Sequence, residues 1–230
     1  MSNKNITYRS SSLRRYTLLF LSLPVNSLGI VLVTLASLGT SPISSLPYVI
    51  SKLTPLSFGA LTWILNILFV AVEAILLGRR CLHEDKSYIL WQIPILTVFS
   101  VFVDIWMALF DDMAGCPYVS RLTVLAVGCL CLVTGISWSV KAGVAMNPGE
   151  GIIKVLAGRL HIPFGWTKFI IDLSLVVMSA IVSYIWLGEV VGLREGTVVA
   201  AFLVGPLVRL TNPCWNFLDN WLGIEAHVES

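Results

Sequence analysis

The sequence predicts an all-α polytopic membrane protein: six transmembrane helices forming two inverted three-helix repeats, each with a short re-entrant or interfacial helix. Three observations predict it. Of the 230 residues, 57% are hydrophobic and 12% charged, with a mean hydropathy of +0.86, outside the range of a water-soluble domain of this size. Six apolar runs are long enough to cross about 30 Å of hydrocarbon, which takes about 20 helical residues. Finally, the chain resembles itself when shifted by 106 residues.

The spans are read at 16–38, 59–78, 88–110, 122–146, 164–187 and 196–212. They divide the chain into a tail at 1–15, a first repeat at 16–110, a second at 121–212 and a tail at 213–230. The first span is too long for a cleaved signal and lacks a small-x-small site, so it is expected to stay in the protein. Lys4, Arg9, Arg14, Arg15, Arg79, Arg80, Lys86, Lys154, Arg159, Lys168 and Arg209 fall on one side, whereas Lys52, Arg121, Arg194, Asp111 and Asp112 fall on the other. By the positive-inside rule both termini are expected to be cytoplasmic. The net charge of +2 then reflects topology, and no nucleic-acid partner is expected.

The 106-residue shift pairs Gly29 with Gly135, Ile30 with Ile136, Ala36 with Ala142, Pro42 with Pro148, Val49 with Val155, Phe58 with Phe164, Gly59 with Gly165 and Ile64 with Ile170, without a gap. Proline and glycine are the residues least prone to agree through apolar composition alone. Three spans per repeat is an odd number, so the second repeat must enter the membrane from the opposite face. Secondary transporters commonly have this plan, with a site near the midplane where the halves meet.

Two matching passages stand between spans, "SPISSLPYVISKLTPLSFG" at 41–59 and "NPGEGIIKVLAGRLHIPFG" at 147–165. Ser41 and Asn147 are good N-cap residues placed before a proline that suits the first helical position. Glu150 falls at the third helical position, as in a capping box. About ten helical residues follow before Thr54-Pro55 or Ile162-Pro163 stops them, and at about 1.5 Å per residue that covers half a bilayer. Each passage is either an amphipathic helix on the membrane surface or a re-entrant half-helix among the spans, its N-terminus facing a polar cavity.

Ionisable groups at bilayer depth are costly and tend to face a partner or a cavity. Glu73, Asp104, Lys141, Lys168 and Asp172 qualify, with Asn26, Asn66 and Gln92 as neutral company, and the shift pairs Asn66 with Asp172. Lys168 and Asp172 are four apart and can neutralise each other. Lys141 either snorkels to the interface or lines an inner cavity. Glu73, within about one and a half turns of the end of its span, is expected to reach the headgroups. Asp104 is either a helix-helix contact or a substrate or proton group.

Several classes are set aside. No phosphate loop, His-Glu-x-x-His or Ser/His/Asp arrangement is present, so an enzyme is not expected. Cys129 and Cys131 point to different faces of one apolar helix and suit no metal. Cys116 is the one cysteine in an expected outer loop, so no disulfide pair is available there. No cofactor is expected.

"LGTSPIS" at 38–44, "MNPGEGII" at 146–153 and "GLREGTVVAAFLVGPLV" at 192–208 resemble the YczE/YyaS/YitT-type bacterial membrane proteins. That group carries a Leu-Gly-x-Ser-Pro-Trp-Asp-like signature, a Gly-Pro-Arg-Asp-Gly-like one, and a Gly-x-Gly-Thr followed by Gly-Pro. Here Ile43-Ser44 replaces Trp-Asp and Gly149-Glu150 replaces Arg-Asp, so one of the two acids is lost. The resemblance implies a bacterial cytoplasmic-membrane protein without an assigned activity.

The expected function is therefore small-molecule secondary transport or export, with substrate contacts from Ser41, Asn66, Asp104, Lys141, Asn147, Glu150, Lys168 and Asp172. A lysine would hold an anionic group and a carboxylate a coupling proton. Its partners would be the substrate, the lipid bilayer and, for so small a bundle, a second copy of the chain. The alternative is a membrane-embedded regulatory or interaction protein whose polar residues are packing contacts.

Overall fold

The computed structural model describes residues 12–78, 86–110, 112–113, 115–144, 147–194, 196–197, 204, 207–208 and 210–222. Among these residues there are helices and no strands: α1 (Ser12–Leu35), α2 (Pro42–Leu53), α3 (Phe58–Leu77), α4 (Lys86–Leu109), α5 (Tyr118–Ala142), α6 (Pro148–Leu160), α7 (Phe164–Leu187) and, after a 3₁₀ turn at Asn212–Trp215, α8 (Asn216–Leu222). Five of them, α1, α3, α4, α5 and α7, are long and apolar enough to cross a membrane. The sixth expected span, 196–212, lies largely outside the described residues. Within the stretch read as a tail from residue 213, α8 buries Leu218 and Leu222 in the main apolar cluster.

α1 is the most enclosed span and α7 the most exposed. The main cluster joins Leu19, Leu23 and Ile30 of α1 to Ile95, Phe99 and Val103 of α4 and to Leu125, Cys129 and Leu132 of α5. The crossing of α1 and α5 is close because glycine stands at both contacts. A Cβ on Gly29 would lie 2.5 Å from the Leu132 nitrogen, and one on Gly135 would lie 2.7 Å from the Asn26 nitrogen. Small residues allow such approaches inside membranes, where packing rather than water exclusion drives association. The two contacts map onto each other under the 106-residue shift, since Gly29 corresponds to Gly135 and Asn26 to Leu132.

The helix ends repeat the exchange. Arg15 donates from Nε to the carbonyl oxygen of Ala142 at 2.9 Å and from Nη2 to that of Gly143 at 2.5 Å. Arg121 does the same for α1, with Nε on Ala36 O at 2.9 Å and Nη2 on Ser37 O. Ser37 and Gly143 both turn left-handed, at φ 53° and 57°. Arg15 and Arg121, Thr17 and Thr123, and Leu19 and Leu125 are identities of the same shift. The guanidiniums satisfy carbonyls that a helix C-terminus leaves open and place positive charge at its negative pole.

The short helices cross over. α2 packs on α7 and α6 packs on α3, while each also touches the span that follows it. Their N-termini meet, with Ile43 of α2 against Gly149 of α6. A Cβ on Gly149 would also be 4.0 Å from Phe69 Cδ2, and Phe69 stands just past the middle of α3. Both helices thus begin at mid-length of a span.

Sequence signals at their starts are partly realised. Ser41 and Asn147 are the N-caps, each followed by proline, but neither side chain makes a capping hydrogen bond. The backbone does that work instead: the N–H of Ser44 donates to Ser41 O at 3.0 Å, and those of Glu150 and Gly151 donate to Asn147 O at 2.8 and 3.0 Å.

The loop before α2 is clasped by the loop after α7. The Gly196 N–H donates to Leu38 O at 2.7 Å, and the Thr40 N–H donates to Gly192 O at 2.9 Å and to Thr197 Oγ1 at 3.1 Å. The "LGTSPIS" and "GLREGT" motifs, about 150 residues apart in sequence, therefore form one hydrogen-bonded clasp that aims α2 inward.

Candidate functional site

One face of α3 carries Thr62, Asn66, Phe69 and Glu73, spaced four, three and four apart, and all are buried. The shift sends them to Lys168, Asp172, Leu175 and Ser179 on α7. Phe69 and Leu175 join Ile152 and Ile153 of α6 in a second apolar cluster, with Ile43 and Leu46 of α2 packed against it. Two polar-polar-apolar-polar faces thus flank the paired short helices.

On α7 the face is charged. Lys168 Nζ lies 3.1 Å from Asp172 Oδ2, while Asp172 Oδ1 is buried without a hydrogen-bond partner. The Glu150 carboxyl, two residues into α6 from Pro148, is within electrostatic range of both Lys168 and Asp172. The residues that the shift pairs with these three are neutral: Ser44, Thr62 and Asn66. Asn66 Nδ2 donates to Thr62 O at 2.8 Å, and Ser41 Oγ bonds Ser44 Oγ at 2.9 Å. The neutral triad is sealed, with Ser44, Thr62 and Asn66 at 2%, 5% and 6% exposure. The charged one is partly open, the side chains of Lys168 and Asp172 being 43% and 16% exposed.

Glu73 departs from expectation. It is buried at 1% exposure rather than reaching the headgroups, because Gln92 Nε2 of α4 donates to its Oε2 at 3.1 Å. Gly151 opposite has no side chain, and a Cβ there would stand 2.7 Å from the same oxygen. Gln92 Oε1 and Ser179 Oγ are buried without partners.

Of the eight residues expected from sequence, Glu150, Lys168 and Asp172 come together, Ser41 and Asn147 start the two helices that meet, and Asn66 lies on the facing stripe. Asp104 and Lys141 stand apart. Asp104 accepts from Ser57 Oγ at 2.6 Å and from the Gly59 N–H at 2.7 Å, so it caps the start of α3. It also lines a shallow pocket of about 430 Å³ with Tyr48, Ser51 and Lys52, and the Lys52 ammonium sits 5.1 Å from the Tyr48 ring centre. Lys141 occupies the last turn of α5 and has a partner of its own. Asp104→Ala is expected to cost about 1–2 kcal/mol, the usual loss for a helix cap, read as a lower thermal midpoint in detergent. Any solute flux should survive it.

The sequence does not single out Thr62, Ser44 and Ser179 as site residues, and it offers Gln92 only as neutral company to the charged groups. The 106-residue shift, extended beyond its glycines and prolines, is the signal that finds the first two. Among the described residues no group of three or more metal-ligating side chains occurs.

Comparison with known proteins returns one family. No curated protein and no solved structure matches the chain, and the YczE/YyaS/YitT-type likeness rests on its motifs alone. A family model covers residues 13–213, from the start of α1 through the 3₁₀ turn, and on that match the chain belongs to DUF6198, a family of unknown function.

Proposed function

We propose that this multi-pass membrane protein is a small-molecule secondary transporter or exporter built as an inverted repeat, with its substrate site at Glu150, Lys168 and Asp172. The observation that carries the reading is the meeting of two short-helix N-termini at mid-span beside a charged triad. A surface helix has no reason to start beside the middle of a span, whereas a re-entrant half-helix does. The reciprocal Arg15 and Arg121 caps, the paired glycine contacts and the exchanged packing of α2 and α6 all support two halves related by a two-fold axis in the membrane plane. The charged triad lies in the half whose short helix returns to the cytoplasmic face under the positive-inside orientation, so the site would be reached from that side.

Two measurements test it. In a cysteine-free background, Lys52→Cys at the end of α2 and Arg159→Cys at the end of α6 should react with an impermeant maleimide from opposite sides of the membrane; labelling from one side would remove the inverted repeat. Proteoliposomes screened with organic anions, amines and amino acids should show uptake that Asp172→Asn reduces at least tenfold. Unchanged uptake would remove Asp172 from the site.

One observation favours a second reading, a membrane-embedded interaction protein. Ile43, Phe69, Ile152, Ile153 and Leu175 fill the space between the short helices, as a scaffold's centre would be filled. Absence of flux across the whole panel, with intact topology, would favour it.

A further inference from the structure

The shallow pocket beside Asp104 holds one charge of each sign. It lies where the last turn of α2, the start of α3 and the closing turns of α4 meet, and its volume of about 430 Å³ is within the range of about 300–1,000 Å³ for small-ligand sites. Lys52 supplies the cation. Its ammonium stands 5.1 Å from the Tyr48 ring centre, and among the described residues it forms neither a hydrogen bond nor an ion pair. Asp104 supplies the acid. Its two oxygens accept one hydrogen bond each, from Ser57 Oγ and the Gly59 N–H, and a carboxylate has about four acceptor positions, so part of its capacity is open.

The serine hydroxyls on the wall are already committed. Ser51 Oγ donates to Tyr48 O at 2.7 Å, and Ser57 Oγ gives its proton to Asp104. A lone anion in this pocket would be drawn to Lys52 and repelled by Asp104, and a lone cation would meet the reverse. A zwitterion satisfies both charges. Leu56, Met107 and Ala108 make the rest of the wall apolar, and Leu56 and Ala108 are exposed. Asp104 stands five residues before the end of α4, about 7.5 Å of helix rise, the depth at which headgroups give way to acyl chains. The Tyr48 ring narrows the amine further. A quaternary ammonium favours an aromatic face, and Lys52 already covers that of Tyr48, whereas a primary ammonium can donate directly to the open positions of Asp104.

We propose that this pocket binds the headgroup of a phospholipid with a primary amine, a phosphoethanolamine ester. Its phosphate rests on Lys52 and its ammonium on Asp104, with Leu56 and Ala108 against the start of its chains. The site is separate from the triad and does not require transport.

The test is native mass spectrometry of the whole delipidated protein in detergent, titrated with phosphatidylethanolamine, phosphatidylcholine, phosphatidylglycerol and diacylglycerol of matched chains. Wild type should take one phosphatidylethanolamine about tenfold more tightly than any of the others, the scale of one charge-assisted contact. Asp104→Asn should erase the preference over phosphatidylcholine, and Lys52→Gln the preference over diacylglycerol. Ala108→Trp should fill the pocket and abolish the selective adduct with both charges intact. That variant and Lys52→Gln keep the test decisive if Asp104→Asn loses its helix cap and fails to fold. Lys154→Gln, on the exposed side of α6, should behave as wild type. Equal binding of phosphatidylethanolamine and phosphatidylcholine by wild type, tighter binding of phosphatidylglycerol, or a preference that persists in Lys52→Gln and Ala108→Trp overturns the site. Free phosphoethanolamine is added last. Displacement of the lipid at equal concentration would make a soluble aminophosphate the occupant and overturn the lipid, whereas failure to displace it supports a membrane ligand.

Discussion

Gly135→Val is expected to leave little folded protein. A Cβ at 135 would stand 2.6 Å from Asn26 Cβ and 2.7 Å from the Asn26 nitrogen and Cα. Overpacking that a side chain can escape costs about 1–3 kcal/mol. Here the obstacle is largely backbone, so α1 and α5 would have to separate along the contact that organises the main core. The cost should exceed that range and consume much of a total stability of about 5–15 kcal/mol. Gly29→Val should act alike, because its Cβ would meet Leu132 backbone and side chain at 2.5 and 2.8 Å. Gly158→Ala is the control: no atom lies within 4 Å of a Cβ there. Alanine at this helical position should raise stability by about 0.5–1 kcal/mol. Monodispersity and thermal midpoint in detergent distinguish the three, and a Gly135→Val protein with a wild-type midpoint would refute the close crossing.

Arg15→Ala and Arg121→Ala are expected to destabilise the same helix pair from opposite ends. Each guanidinium spans two C-terminal carbonyls. A hydrogen bond to a charged group contributes about 1.5–3 kcal/mol at full burial, and both arginines are only partly buried, so about 1–2 kcal/mol is expected for each. Arg121→Ala should be the milder, since Arg194 Nη1 also reaches Ser37 O at 3.3 Å. The sites are separated by the length of α1, roughly 36 Å at 1.5 Å per residue, so the double variant should be additive. Lysine should rescue poorly, because a point charge does not reproduce the two-pronged geometry. Full rescue by Arg15→Lys would show that charge alone matters.

Much of this was legible before any coordinates. The apolar runs announce the membrane helices, five of them in the described chain, and proline before the short passages places α2 and α6 within a residue. Lys168 and Asp172 were readable as a pair because a helix fixes the geometry of residues four apart. Arg15 and Arg121 were read as topology markers, since the carbonyls they cap are about 127 and 85 positions away. Asp104 looked like an intramembrane acid of uncertain purpose. Its role as the cap of α3 depends on how α4 is set against the start of that helix. Glu73 was expected at the surface, yet the neighbouring Gln92 and the side-chain-free Gly151 let it turn inward.

Local chemistry therefore decided what the chain is made of. Hydropathy over 20 residues, proline at helix starts and the 106-residue shift depend only on neighbours or on self-comparison, and they set the membrane class, the helices and the internal likeness of the sequence. Tertiary structure decided where the short helices point and which charges meet. That Ile43 reaches Gly149 beside Phe69, and that Glu150 comes within electrostatic range of Lys168 and Asp172 while Asp104 does not, follows from how α2 packs on α7 and α6 on α3. Such crossings are set by packing between residues far apart in sequence, and no local pattern encodes them.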